Sequence, residues 1–307
     1  MPPDRPVLTR RGVFAGAALA ALGNAARVAP SGPAGLTGPH KLVANWTFGA
    51  TRADATVRDK AELDQAFRYR FIYDHGQLDR LTNCWSVYRD YPAGDPRSLH
   101  VFEDDALVLK SRVPPGGGLR PGGIESGMLR ALLPVTPGMV VEMRAKLPHG
   151  LGTWPAFWLN PGVEYPGGRF SATPWPPEID IFEFFQWQGR DHPRFMESHV
   201  QTAGDPAKYG DPTDLFSLYG RHGYDPGIDF SAGFHTFGLD WQQDAPVWLL
   251  DGQRIKQTRY VWNAPPAHIL VTNQIGMQLN GVNLSGMRVD EPAWDYRVKW
   301  LRVWRRA

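Results

Sequence analysis

The sequence predicts an all-β fold, a jelly-roll β-sandwich of two antiparallel sheets with one concave face that suits a polymer cleft. Two observations carry this. Short apolar or alternating segments recur along the 307 residues, separated by turns that draw on 33 glycines and 28 prolines. Helical periodicity is confined to Asp59–Gln65, a turn or two. From Lys41 onward there is no repeat, low-complexity tract or composition break, so 40–307 reads as a single domain.

In chain order, Arg10 and Arg11 follow Thr9 and precede the apolar stretch Gly12–Leu22. This stretch is too short to span a bilayer, and small residues follow it, so 1–30 reads as an export signal peptide that resembles the twin-arginine type, with a Sec signal carrying a chance arginine pair as the alternative. The Gly- and Pro-rich 31–39 reads as a flexible lead. His100–Arg112 reads as a hairpin turning at Glu103, Asp104 and Asp105. Gly138–Leu147 alternates Val141, Met143, Ala145 and Leu147 with Glu142, Arg144 and Lys146. Asp251 and Gly252 sit between two strand-like runs, a strong hairpin signal. Tyr296–Arg305 is the last predicted strand. Between them, 203–233 is rich in Gly, Asp, Pro and Tyr, and a loop of that length is read as a wall of the cleft.

Composition narrows the function. A net charge of +2, with Lys and Arg scattered, gives no electrostatic footprint for nucleic acid. The lone Cys84 forms no internal disulfide, and no later stretch is long and apolar enough to cross a membrane. Twelve tryptophans are many for this length; most belong in a core, but an indole face also stacks on a pyranose.

The most informative run is Glu178, Ile179, Asp180, Ile181, Phe182, Glu183. Alternation puts Glu178 and Asp180 on one face of a strand. Glu183 is an odd step further and would face away unless one inserted residue, a β-bulge, returned it. Ile179 and Ile181 would then pack behind a wall of three acids. Acids alternating with isoleucine also describe a solvated edge strand, but Phe182, Phe184, Phe185 and Trp187 crowd this one. Two carboxyl groups roughly 5–5.5 Å apart across a sugar ring make a retaining glycosidase.

Five segments in register then resemble glycoside hydrolase family 16, on its laminarinase-like side, over about residues 40–307. These are Glu125–Arg130 with its Ser-Gly pair, Gly150–Leu159, Glu178–Glu183, Phe234–Trp241 with Asp251 and Gly252, and Val298–Trp304. The resemblance implies a retaining endo-acting enzyme in which Glu178 is the nucleophile, Asp180 its assistant and Glu183 the acid/base, with His199 touching the carboxylates. The E-x-D-x-x-E spacing is that of the bulged branch, so a β-1,3-glucan-type substrate is expected. Alternatives are a transglycosylase on the same site and a non-catalytic, lectin-like binder. Trp154, Trp158, Trp175 and Trp187 are candidate sugar platforms, and Tyr165 and Arg169 candidate substrate contacts. Family relatives carry an aspartate for structural calcium where this chain has Lys299, so neither calcium, another metal nor a cofactor is expected. The expected partner is a polysaccharide, met outside the cytoplasm, periplasmic or secreted, by a monomer.

Overall fold

The computed structural model describes residues 30–307 apart from 73–78, 82, 166–168, 172–176, 188, 190, 202–223, 263 and 279–281. The predicted signal stretch and Trp175 therefore lie outside the described residues, as does most of the 203–233 segment.

Two antiparallel sheets make the sandwich. The outer one runs Gln253–Gln257, Val247–Leu250, His235–Trp241, Met139–Lys146, Tyr296–Arg306, Leu107–Leu109, His100–Phe102, with His40–Thr47 also paired to Tyr296–Arg306. The inner one runs Glu197–Gln201, Glu178–Glu183, Thr153–Pro161, Ala267–Ile275, Met128–Val135, Phe67–Arg68. A single apolar cluster fills the space between them. The outer sheet contributes Val141, Met143, Phe237 and Leu301, and the inner sheet Phe157, Ile179, Phe182 and Val271. Removing such side chains from water is the main term holding the layers together. The jelly-roll expectation is met.

Local chemistry accounts for the elements. The helix Lys60–Ala66 starts where predicted because the Asp59 side chain accepts from the Glu62 N–H at 2.8 Å. The hairpin at Asp251 and Gly252 has positive φ at both residues, 47° and 81°, the geometry a two-residue loop needs to match strand twist. Gly127 leaves room for the Leu99 carbonyl, 2.8 Å from where a Cβ would stand.

The alternation over 138–147 holds on its apolar side, but Glu142 on the other side is buried too. It accepts from the Ala34 N–H at 2.6 Å and the Trp304 indole N–H at 2.8 Å, and its burial raises its pKa. Within the expected lead, then, Ala34 is seated on the outer sheet, and Gly35 lies directly against Gly252. At the far end of the 203–233 segment, Phe230 is buried against Phe184 and Phe237. Among the described residues no helix is long and apolar enough to cross a membrane.

Candidate active site

Strand Glu178–Glu183 lies one place in from the edge of the inner sheet, between Thr153–Pro161 and Glu197–Gln201. Its pairing contains the bulge. Against Thr153–Pro161, Asp180 faces Trp158 and Phe182 faces Phe157, leaving Ile181 without a counterpart. Against the other neighbour, Asp180 pairs with His199 and Glu183 with Glu197, so Ile181 and Phe182 together span Ser198. The extra residue restores Glu183 to the face of Glu178 and Asp180. The Ser198 hydroxyl donates to the Ile181 carbonyl at 2.8 Å, satisfying a group the interrupted ladder releases.

Direct cross-strand neighbours share a face. Hence His199, Asp180, Trp158, Leu270 and Arg130 form one row across the concave sheet. A second row holds Glu197, Glu183, Ala156 and Thr272, and a third Glu178, Asn160 and His268. Ile179 and Ile181 pack behind, fully buried.

The acid cluster is tightly bonded. His199 Nε2 stands 2.9 Å from Asp180 Oδ2 and 3.1 Å from Glu183 Oε2. The Trp154 indole N–H donates to Glu183 Oε1 at 2.8 Å, and the Asn160 amide donates to Glu178 Oε2 at 3.2 Å. Asp180 is 2% exposed and Glu183 8%, whereas Glu178 keeps a larger part of its surface open. Burial and then the negative charges of Asp180 and Glu183 raise the Glu178 pKa well above the usual carboxylate value. Burial and Glu183 lift Asp180 to about 6. For His199, burial opposes the charged ring, but Asp180 and Glu183 outweigh it and hold its pKa well above 6.5. The group therefore binds protons as a unit, with a cationic imidazole among carboxyls that cannot all ionise cheaply.

Asp180, Glu183 and His199 offer ligand atoms within 4.8 Å of one another. The imidazole already sits between the two carboxylates as their ion-pair partner, and that pairing accounts for the spacing without ligation. On the outer sheet, Lys299 Nζ is 2.5 Å from Asp105 Oδ2 and 4.5 Å from the Phe234 ring centre. An ammonium there neutralises an acid that a cation would otherwise bind, so these residues do not fit a calcium site.

Of the candidate platforms, Trp154 and Trp158 lie buried in the sheet. Trp158 is 4% exposed, its indole donates to Thr272 Oγ1 at 3.1 Å, and Phe71 covers its ring. Trp154 is 5% exposed and packs on Phe185. Both share the cleft face, as their spacing indicates, but neither presents an open ring on which a sugar could stack. Trp187 is half-buried beside Leu81, Phe185 and Val282 around Cys84, Trp154 and Met277. Tyr165 and Arg169 pair with each other in the small hairpin Val163–Tyr165/Arg169–Ser171. Asn160, Trp248 and Lys256 were not foreseen. Asn160 was legible as the next even step after Trp154 and Trp158; for the other two no sequence signal exists.

A sequence model described as glycosyl hydrolases family 16 matches residues 138–300. A glucan endo-1,3-beta-glucosidase from Cryptopygus antarcticus is 42% identical over 114 residues, 36% of each chain. An endo-1,3-1,4-beta-glycanase, EglC, from Rhizobium meliloti (strain 1021) is 31% identical over 136 residues, 44% of this chain and 24% of the relative. The aligned region thus spans about a third or less of those curated relatives. The solved endo-beta-1,3-glucanase from Pyrococcus furiosus superposes with a TM-score of 0.60 at 21% identity, covering 87% of this chain and 95% of that one, and shares the fold.

Proposed function

This chain belongs to glycosyl hydrolases family 16, and from that premise we propose that it is a retaining endo-glycosidase that cuts internal linkages of a β-1,3-glucan-type polysaccharide. The observation that carries the reading is the bulge at Ile181, which turns Glu178, Asp180 and Glu183 to one concave face and ties two of them to His199. The names of the glucanase relatives support the choice of glucan.

In the first half-reaction a Glu178 oxygen bonds to the anomeric carbon as its bond to the leaving sugar breaks. Glu183 gives its proton to the departing oxygen. In the second, Glu183 takes a proton from water, whose oxygen displaces Glu178 from the same carbon. The positive charge of His199 and the Asn160 amide that donates to Glu178 both favour the ionised Glu178 that the attack needs. A sugar hydroxyl in place of water would make the same intermediate a transglycosylation. A pure binder gains nothing from carboxyls that repel each other, so the lectin-like reading is disfavoured.

The same reading makes 40–307 one catalytic domain, acting as a monomer outside the cytoplasm, where such polymers are met. Replacing Arg10 and Arg11 by lysine should then block export; undiminished export would point to a different signal.

The test is release of reducing ends from β-1,3-glucan, mixed β-1,3-1,4-glucan and unrelated polysaccharides, with the anomer of early products read by NMR. Turnover of a β-1,3-linked glucan with retention is expected. Binding without turnover across the panel, or inversion, would overturn the proposal.

A further inference from the structure

The strand Gln253–Gln257 reverses the usual rule of burial. Ile255 is half-exposed, while Lys256 is 5% exposed. Lysine is among the residues least often buried, and a strand position that hides it at the expense of isoleucine calls for a specific reason. The cause of the reversal is a second bulge. Trp248 pairs with Lys256 and Leu249 with Arg254, so Ile255 is the extra residue and Lys256 turns to the face of Trp248.

That face looks across the sandwich at the back of the acid cluster. The Trp248 indole N–H donates to the Asp180 backbone carbonyl at 2.8 Å. The Lys256 ammonium donates to the Ser198 backbone carbonyl and lies 4.7 Å from the centre of the Trp248 ring. Asp180 and Ser198 flank the place where the extra Ile181 interrupts the ladder, and the Ile181 carbonyl itself is held by Ser198. Three carbonyls at the catalytic bulge, those of Asp180 and Ile181 on one strand and of Ser198 on the next, are thus met by side chains. Two of these side chains, Trp248 and Lys256, reach in from the opposite sheet.

We propose that Lys256, with Trp248, is a positioning residue for the acid cluster: the pair braces the catalytic bulge from the core side and sets a positive charge behind Asp180. The inference rests on the family-16 reading of Glu178, Asp180 and Glu183. An uncharged donor would serve the brace alone; the charge adds an effect of its own. Glu178, Glu183 and His199 meet Asp180 from the cleft side and Lys256 from behind, with the buried Glu197 beside Glu183 on the next strand; the neighbouring strand Thr153–Pro161 carries no ionisable group. Burial and Glu183 raise the Asp180 pKa; His199 and Lys256 pull it back. Without the lysine, Asp180 holds its proton to higher pH.

Full-length Lys256→Met, Lys256→Gln and Trp248→Phe are compared with wild type on a β-1,3-glucan, with kcat and KM measured across pH per folded molecule and thermal melts beside them. For Lys256→Met, kcat is expected to fall roughly tenfold or more through misplacement of the carboxyls, with KM little changed. The acid limb of kcat/KM should move to higher pH. Lys256→Gln keeps a donor for the Ser198 carbonyl without the charge, so it should recover much of kcat and leave the limb displaced. It also reads the charge effect should the methionine variant fail to fold. Trp248→Phe should lower kcat and leave the limb in place. Lysine variants whose acid limb coincides with that of wild type would overturn the proposal, whatever their Tm. Inactive wild type on every glucan would instead sink the enzymatic reading beneath it.

Discussion

The Trp154 indole N–H donates to Glu183 Oε1 at 2.8 Å, on the side of the carboxyl opposite His199. Trp154 is buried against Phe185, so its ring is fixed and the carboxyl is held between two rigid partners. The tryptophan thus bonds the acid/base residue of the proposed mechanism.

Trp154→Phe separates these roles, because phenylalanine keeps the packing and loses only the donor. Glu183 is neutral when it gives its proton, and a hydrogen bond between neutral groups contributes about 0.5–1.5 kcal/mol, so kcat should drop roughly 2–10-fold. KM should stay close to wild type. Steady-state kinetics on a soluble β-1,3-glucan checks it; a raised KM with unchanged kcat would restore the stacking role.

Glu178 and Glu183 should fail in different ways. Glu178→Gln removes the atom that bonds to carbon and should cost at least about 10³-fold on every substrate. Glu183→Gln removes the proton that a sugar leaving group needs. An aryl glycoside whose phenolate departs unaided should still form the glycosyl-enzyme at near wild-type rate, seen as a burst of phenol. Equal losses for both variants on both substrates would contradict the assigned roles.

His199 links stability to pH. Its folded pKa lies well above the 6.5 of a free imidazole, because Asp180 and Glu183 outweigh its burial. A group raised in this way contributes stability that is fully present below pH 6.5 and is lost as pH rises through the folded value. Asp180, raised from 3.8 to about 6, adds a term of the same sign, present below 3.8 and gone above 6. The Tm deficit of His199→Gln should therefore be largest near pH 6 and shrink toward pH 9. Melts across that range check it, and a constant deficit would mean that the imidazole is not charged in the folded state.

What the sequence revealed and what it hid have one physical cause. Period-2 alternation and an odd step of three residues sufficed for Glu178, Asp180 and Glu183, because a bulge is the only way to seat all three acids on one face. The same alternation put Trp154 and Trp158 on the cleft face but said nothing of what covers it. Phe185 and Phe71, which close over those rings, come from distant segments. Lys256 was hidden for a further reason: the bulge at Ile255 leaves an ordinary apolar-polar pattern that reads in the wrong register. His235 is half-buried at a strand end and bonds Asp251 at 2.7 Å, since the turn supplies an acid there.

Lys299 yields the last prediction. Its ammonium holds Asp105, so strand Tyr296–Arg306 is tied to the His100–Leu109 hairpin by a charge that the chain itself carries. Lys299 also passes its backbone carbonyl to the Phe48 N–H at 2.9 Å, which leaves that oxygen engaged. A bound metal stabilises a fold in proportion to RT ln(1 + [L]/Kd), and a site already occupied by an ammonium gives that term nothing to act on. Adding calcium, or removing it with EDTA, should leave the Tm of the wild type within about 1 °C, less than the roughly 2–4 °C that 1 kcal/mol moves a domain of this size. Lys299→Asp sets two carboxylates face to face, so its Tm should fall without calcium and recover when calcium is added. Calorimetry of both proteins with and without the ion decides it: a calcium-dependent Tm in the wild type would mean that the cation binds despite the lysine.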